Sequence, residues 1–261
     1  MAHISSLARK GRWILDYALP PRCAGCGTIV EGDDRFCQSC WEGLNFLGEP
    51  CCASCGMPFD SDPGEDACCP SCLADPPPWK SARAAMCYDD VARTIAHRLK
   101  YSRRTGLARL MARLMVSRIS SQLECAKDTE EWLILPVPLH RWRLWGRGFN
   151  QSLLVARHLA RMLLLPVDPF ILKRIRATPP LYELNHKERE ETVRGAFALA
   201  PGLGHKVKGK TILLIDDVHT SGATARACTH VLLKGGASSV HLLCWARVVD
   251  GGGSHRQYSP Q

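Results

Sequence analysis

No run in this 261-residue chain approaches the roughly 18 apolar residues of a membrane-spanning helix. That predicts no membrane insertion. The first twenty residues also lack a signal-peptide core, because the apolar run Trp13-Ile14-Leu15 is too short and Asp16 ends it. Together these absences predict a cytoplasmic chain, and in that compartment thiols stay reduced and clustered cysteines usually mean metal. Acid is the scarcer charge. There are 25 Asp and Glu against 34 Lys and Arg, a formal net charge of +9. No acidic residue occurs from Arg93 to Arg118. Such a balance suits an anionic ligand, whether a phosphorylated small molecule, nucleic acid or both. No histidine sits in a recognisable catalytic triad; His140, His158, His186 and His230 have no such context.

Cysteine is abundant but confined. Ten of the 14 cysteines fall between Cys23 and Cys72. They form four Cys-x-x-Cys pairs: Cys23/Cys26, Cys37/Cys40, Cys52/Cys55 and Cys69/Cys72. The first and third read Cys-x-x-Cys-Gly, and the glycine lets the chain turn so that backbone N–H groups face the sulfurs. A tetrahedral zinc takes four thiolates, and two such pairs supply them. Taken in order, the pairs predict a double zinc ribbon with two structural Zn²⁺ ions. Cys51 and Cys68 adjoin proposed ligands and leave the register open, as does crossed pairing between the knuckles. A disulfide framework and an iron–sulfur cluster fit the spacing and the compartment less well. The segment is short and poor in large apolar residues, so metal would supply much of its folding energy. Leu-Ala-Asp-Pro-Pro-Pro (residues 73–78) closes it as a stiff spacer. The expected boundaries are 20–78 for the ribbon module, 79–250 for a second domain and 251–261 for a polar, disordered tail.

The second domain carries Lys210-Thr211-Ile212-Leu213-Leu214-Ile215-Asp216-Asp217-Val218-His219-Thr220-Ser221-Gly222-Ala223-Thr224. Its apolar run suits a parallel strand buried on both faces. Asp216 and Asp217 then fall where open α/β sheets bind ligands, and two carboxylates accept hydrogen bonds from adjacent sugar hydroxyls. The hydroxyl- and glycine-bearing loop leads into a helix N-terminus, a natural phosphate cradle. This stretch resembles the phosphoribosyl pyrophosphate (PRPP) motif of type I phosphoribosyltransferases. The resemblance implies that Asp216 and Asp217 contact the ribose hydroxyls, act in catalysis, and bind PRPP together with Thr220, Ser221, Gly222, Ala223 and Thr224. It also implies Mg²⁺ accompanying the pyrophosphate.

Upstream, residues 82–88 read as a strand. Residues 91–119 read as one long helix, or as two joined around Tyr101 to Gly106, with an uncompensated basic face. Residues 131–138 read as a buried strand leading into a loop, Leu139 to Gln151, where Arg141, Arg143 and Arg147 alternate with Trp142 and Trp145. That loop suits phosphate contact with base stacking, or a packed segment whose tryptophans lie in the core. A helix is expected from Ser152 to Leu164.

Pro-Val-Pro-Leu-His (136–140), Arg-Gly-Phe-Asn-Gln (147–151), Leu99-Lys100-Tyr101, the cysteine pairs and the Asp-Asp loop occur in the order found in the ComF family, which the chain resembles over about residues 20–248. The family likeness implies an α/β fold of type I phosphoribosyltransferase character, a mainly parallel sheet flanked by helices, preceded by a small N-terminal four-cysteine zinc-ribbon module. It implies a protein that binds PRPP with Mg²⁺ and is linked to DNA uptake in natural transformation. Single-stranded DNA and competence or recombination proteins are the partners it suggests. The alternative is an active phosphoribosyltransferase that moves ribose 5-phosphate to a nitrogenous acceptor. Residues 136–139 would then be the pyrophosphate loop and Thr178 to Arg194 the lid, with Lys187, Arg189 and Arg194 as charge donors. The chain departs from the family at Leu181, where glutamine is common after Thr-Pro-Pro, and at Thr192, where asparagine is common before Gly-Ala-Phe.

Overall fold

The computed structural model describes residues 20–102, 104–120, 123, 130–179 and 186–249. The expected tail (251–261) and residues 180–185 of the expected lid lie outside them, as do the N-terminal residues tested above for a leader. Composition places a boundary near residue 78; in space, the break between two compact units falls between Leu44 and Asn45.

In the first unit a bridge between Arg22 and Ile29 closes the turn that carries Cys23 and Cys26. Helix α1 (Gln38–Glu42) starts directly after Cys37. The second unit repeats this plan. A bridge between Cys51 and Pro58 closes the Cys52/Cys55 turn, and α2 (Pro70–Ala74) starts directly after Cys69.

The rest of the second unit is α/β. Strand β1 (Ser81–Cys87) leads to α3 (Asp90–Tyr101) and α4 (Leu107–Met115), then β2 (Trp132–Pro136), α5 (Arg141–Arg147) and α6 (Gln151–Leu163). Next come β3 (Leu172–Arg174), α7 (His186–Val193), β4 (Phe197–Leu199), β5 (Thr211–His219), α8 (Ala223–Lys234) and β6 (Ser239–Arg247). Four strands form one parallel sheet in the order β1-β6-β5-β2, and β3 pairs antiparallel with β4. Strand β5 lies inside the sheet between β6 and β2, and its residues Thr211 to Ile215 are all buried, as an unbroken apolar run requires.

The basic stretch forms two helices. Ala92, Ile95, Ala96 and Leu99 give α3 its buried stripe, and Leu107, Leu110, Met111 and Met115 do so for α4. The Asp89 carboxylate caps α3 by accepting from Ala92 N at 2.8 Å. It also accepts from Asn45 N (3.2 Å) and Asn45 Nδ2 (3.1 Å), which fixes where the helix starts.

The second ribbon is built into this sheet. Ser54 O accepts from Ala82 N at 2.8 Å and from Trp79 Nε1 at 3.1 Å. Arg83 Nη1 donates to Cys52 O (3.3 Å) and Ala53 O (3.0 Å), and Arg247 Nη1 donates to Cys55 O. Gly56 comes just after the knuckle at φ +70°, and a Cβ there would lie 2.5 Å from the Ala82 carbonyl oxygen. Both terms penalise a side chain, so Gly56→Ala should cost on the order of 2 kcal/mol or more of stability. Denaturant unfolding of the zinc-loaded protein checks this, and a loss below about 0.5 kcal/mol would contradict the tight seat.

Candidate functional site

Strand β5 runs on past its apolar half through Asp216 and Asp217 to His219 before the loop begins. Asp216 and Asp217, with Thr220 from the loop and Thr224 from the first turn of α8, line one cavity of 770 Å³. Ser221, Gly222 and Ala223 lie between those two threonines in sequence and are not part of the lining; Ala223 is only 3% exposed. Gly222 takes φ +76° at the head of α8, and a Cβ there would meet Trp79 Cη2 at 2.9 Å and His219 Cε1 at 3.0 Å. The loop is thus held down on Trp79 and His219, whose rings pack edge to face at 5.7 Å. Burial, with Arg247 nearby, drives His219 down to about 3, so it packs as a neutral ring.

Further lining comes from the β2–α5 connection, from α5 and from the start of α6. Val137, Pro138 and Leu139 line the cavity, as do Arg143, Gly146, Arg147, Gln151 and Ser152. The stretch expected as a loop from Leu139 to Gln151 contains a helix, α5, ended by Gly148 at φ +83°. Asn150 locks this wall. Its Oδ1 caps α6 by accepting from Ser152 N at 2.9 Å, while its Nδ2 donates to Val137 O at 3.0 Å. Arg147 Nη1 reaches Gln151 Oε1 at 2.5 Å and lies over the Tyr101 ring at 5.1 Å. Trp142 and Trp145 are 62% and 83% exposed, so the core placement considered for them does not hold. The seven-residue α5 turns them outward.

Two cations in the lining are not singled out as site residues by the sequence. Lys100, from the last turn of α3, forms an ion pair with the Asp217 carboxylate. Arg174, from β3, reaches Thr178 Oγ1, and Arg143 Nη2 donates to Thr178 O at 2.9 Å. Lys100 stands in the Leu-Lys-Tyr signature, but its seven arginine neighbours make it read as one more charge on a helix face. Arg174 has no signal, because a three-residue strand gives no periodicity.

The two aspartates are driven apart. Burial, then the charge of Asp217, pushes Asp216 up to about 8. Burial opposes ionisation of Asp217 as well, but the Lys100 ammonium outweighs it and holds that carboxyl below the usual range. Asp216 Oδ1 accepts from Asp217 N at 2.9 Å and from Ser152 Oγ at 3.4 Å. A neutral acid beside a carboxylate can both donate to and accept from neighbouring hydroxyls. The pair by itself offers no all-protein oxygen cage for Mg²⁺, which usually binds through one or two carboxylates together with substrate phosphates and waters. Lys100 already stands on Asp217, and Asp216 is engaged by its own chain.

The cysteines do fit zinc. Cys23, Cys26, Cys37 and Cys40 form one cluster and Cys52, Cys55, Cys69 and Cys72 another, the sulfurs of each lying within 4.8 Å of one another. Thiolates around a tetrahedral zinc with bonds of about 2.3 Å stand roughly 3.8 Å apart. Cys26 to Cys37 is 3.5 Å and Cys55 to Cys69 is 3.7 Å. Backbone N–H groups face the sulfurs as expected: Cys37 N to Cys23 Sγ at 3.2 Å, Cys69 N to Cys52 Sγ at 3.3 Å. Burial opposes ionisation of Cys52, but the N–H groups of Cys55 and Cys69 bring it down to about 6. Cys51 turns to Glu49 Oε2 at 2.9 Å and Cys68 toward Asp66 O, so neither joins a cluster.

Two families of known proteins match parts of this chain. The "Double zinc ribbon domain" family matches residues 14–73, and the "Phosphoribosyl transferase domain" family matches residues 150–258. The chain is 32% identical to "DNA utilization protein YhgH" of Escherichia coli K12, over 88% of this chain and 99% of that one. It is 27% identical to "Competence protein F" of Haemophilus influenzae (87% and 96% covered) and 26% identical to "Competence protein ComFC" of Bacillus subtilis (81% and 84% covered).

The clusters predict about two zinc ions per purified chain by elemental analysis. Cys52→Ser should lower that content by about one, whereas Cys51→Ser and Cys68→Ser should leave it unchanged. Loss of metal in either of the last two variants would mean that the ligand register is wrong.

Proposed function

Because the chain belongs to the ComF family, in which a double zinc ribbon precedes a phosphoribosyl transferase domain, we propose that its cavity binds PRPP. One observation carries the reading: two carboxylates, a hydroxyl loop at a helix N-terminus and a wall of cations all face a single 770 Å³ space. Asp216 and Asp217 take the two ribose hydroxyls. Thr220, Thr224 and the free N–H groups at the start of α8 take the 5-phosphate, and Ser221, Gly222 and Ala223 form the turn that presents them. Arg143, Arg147 and Arg174 face the pyrophosphate. Mg²⁺ enters as part of the ligand, where it would neutralise the leaving pyrophosphate.

The catalytic form of this reading is transfer of ribose 5-phosphate to a nitrogenous acceptor. The chain's residues would then position the anomeric carbon and neutralise the departing charge. Arg176 Nη2 ties the segment after β3 to the end of α7 through Thr192 O (2.9 Å) and Arg194 O (2.6 Å), while Lys187, Arg189 and Arg194, the expected charge donors of the lid, are not part of the cavity lining.

A DNA-handling role is the second part of the proposal, with single-stranded DNA and competence or recombination proteins as partners in the cytoplasm. The relatives' names point that way. So does α5, which carries exposed Trp142 and Trp145 on the helix whose Arg143 and Arg147 line the cavity. Flat rings beside guanidinium groups stack bases and hold phosphates.

Calorimetric titration with PRPP and Mg²⁺ should give saturable binding, weakened at least about tenfold in the Asp216→Asn/Asp217→Asn variant. Failure of the intact protein to bind would overturn the PRPP reading. For the DNA reading, Trp142→Ala/Trp145→Ala should weaken single-stranded DNA binding by about 1–3 kcal/mol per stacked base, leaving the salt dependence in place. Fluorescence anisotropy at two ionic strengths reads both, and unchanged affinity would remove α5 from the DNA surface.

A further inference from the structure

The cavity holds its own counter-ions. Four cationic side chains, Lys100, Arg143, Arg147 and Arg174, line it against two carboxylates. Lys100 is the one on the acidic pair itself. Its ammonium contacts Asp217, and its side chain is 23% exposed against 10% for Asp217. Burial would lower the Lys100 ammonium, but Asp217 more than offsets this and keeps it protonated.

The placement is firmly determined. Asp89 caps the start of α3, and Ala92 O near that start accepts from Trp245 Nε1 at 3.0 Å. Ile95 and Leu99 are fully buried along the helix. At its end Tyr101 lies under Arg147 and packs on His97 at 4.6 Å. The helix therefore delivers Lys100 to Asp217 as a fixed group, not as a mobile surface lysine.

A sugar bearing a phosphate and a pyrophosphate meets repulsion from any uncompensated carboxylate pair in its site. A divalent cation shared between ligand and site is one remedy. A lysine on the pair is another, and it occupies the same electrostatic place. We propose that Lys100 is the built-in counter-ion of the sugar site, so that a pyrophosphorylated sugar phosphate binds here without a divalent cation. This rests on the PRPP reading and adds which charge makes binding possible. Mg²⁺ then matters for the departing pyrophosphate in transfer, and not for occupancy.

The test is PRPP titration of the zinc-loaded full chain in excess Mg²⁺ and, separately, in Mg²⁺-free buffer with a chelator too weak to strip the ribbon zinc. Zinc content is measured before and after. For the intact protein the two dissociation constants should agree within about threefold. For Lys100→Met, binding should fall at least about tenfold without Mg²⁺, because an unpaired carboxylate is left in the site, and Mg²⁺ should restore most of it. Rescue by the metal is a readout that a merely structural lysine would not give. Lys100→Arg should keep metal-free binding and serves as the conservative control.

Binding by the intact protein only when Mg²⁺ is present would overturn the inference while leaving the PRPP reading intact. No binding in either buffer would overturn both. If Lys100→Met does not fold, the comparison of the two buffers on the intact protein still decides.

Discussion

Two carboxylates at the end of a buried parallel strand cannot both stay ionised on their own. That constraint organises the second unit. Strand β5 must be apolar and interior to reach the ligand face of the sheet, and the same interior position removes water from Asp216 and Asp217. The charges therefore have to be resolved by the protein. One acid is pushed toward its neutral form at neutral pH, and the other is paired with a lysine supplied by α3. The two solutions have different sources: burial and the neighbouring Asp217 charge act on Asp216, and the end of α3 supplies the lysine for Asp217. The cavity is polar because the sheet carries acid into its interior edge, and it is cationic because that acid must be offset.

The loop beyond the strand shows a second consequence. It has to bend tightly at Gly222, and what it bends against is Trp79. Trp79 donates to Ser54 in the second ribbon's knuckle and receives Arg226 of α8 over its face at 5.9 Å. Arg226 in turn pairs with Asp75 at 2.8 Å, just past the last ribbon cysteine. One tryptophan thus sits between the second ribbon's cysteine knuckle and the loop at the head of α8.

Much of this is legible in the residues. The β5 run, its two aspartates and the loop are where the periodicity and motif place them, because a strand buried on both faces leaves an unambiguous apolar signature. The two cysteine clusters obey the sequential pairing, because Cys-x-x-Cys spacing fixes which sulfurs can meet. Cys51 and Cys68 are ambiguous in sequence only because adjacent cysteines look alike there; the fold seats Cys51 by a bridge to Pro58 and turns Cys68 toward Asp66, outside the two clusters. The missing parts are those that depend on distance in the chain. Lys100 is 117 residues from Asp217, and nothing local distinguishes it from Arg98 or Arg104. Helix α5 looks like a loop in sequence because seven residues of alternating arginine and tryptophan give no buried stripe; none of its residues is buried.

The ribbon contacts also explain why a composition boundary at the prolines and a spatial boundary at Leu44 differ. The second knuckle turns its backbone carbonyls toward the rest of the unit. In the second ribbon four consecutive carbonyls, from Cys52 to Cys55, meet donors from the sheet: Arg83 for two, Trp79 and Ala82 for one, Arg247 for one. Arg83 stands on β1 and Arg247 at the end of β6, the neighbouring strand, where its partner in register on β5 is His219. The proline run is stiff, but it does not separate these groups. It returns the chain to the edge of the sheet so that Trp79 and Arg83 can reach back. The second ribbon is therefore a structural wall of the α/β unit, and Trp79 joins its knuckle to the loop that frames the cavity.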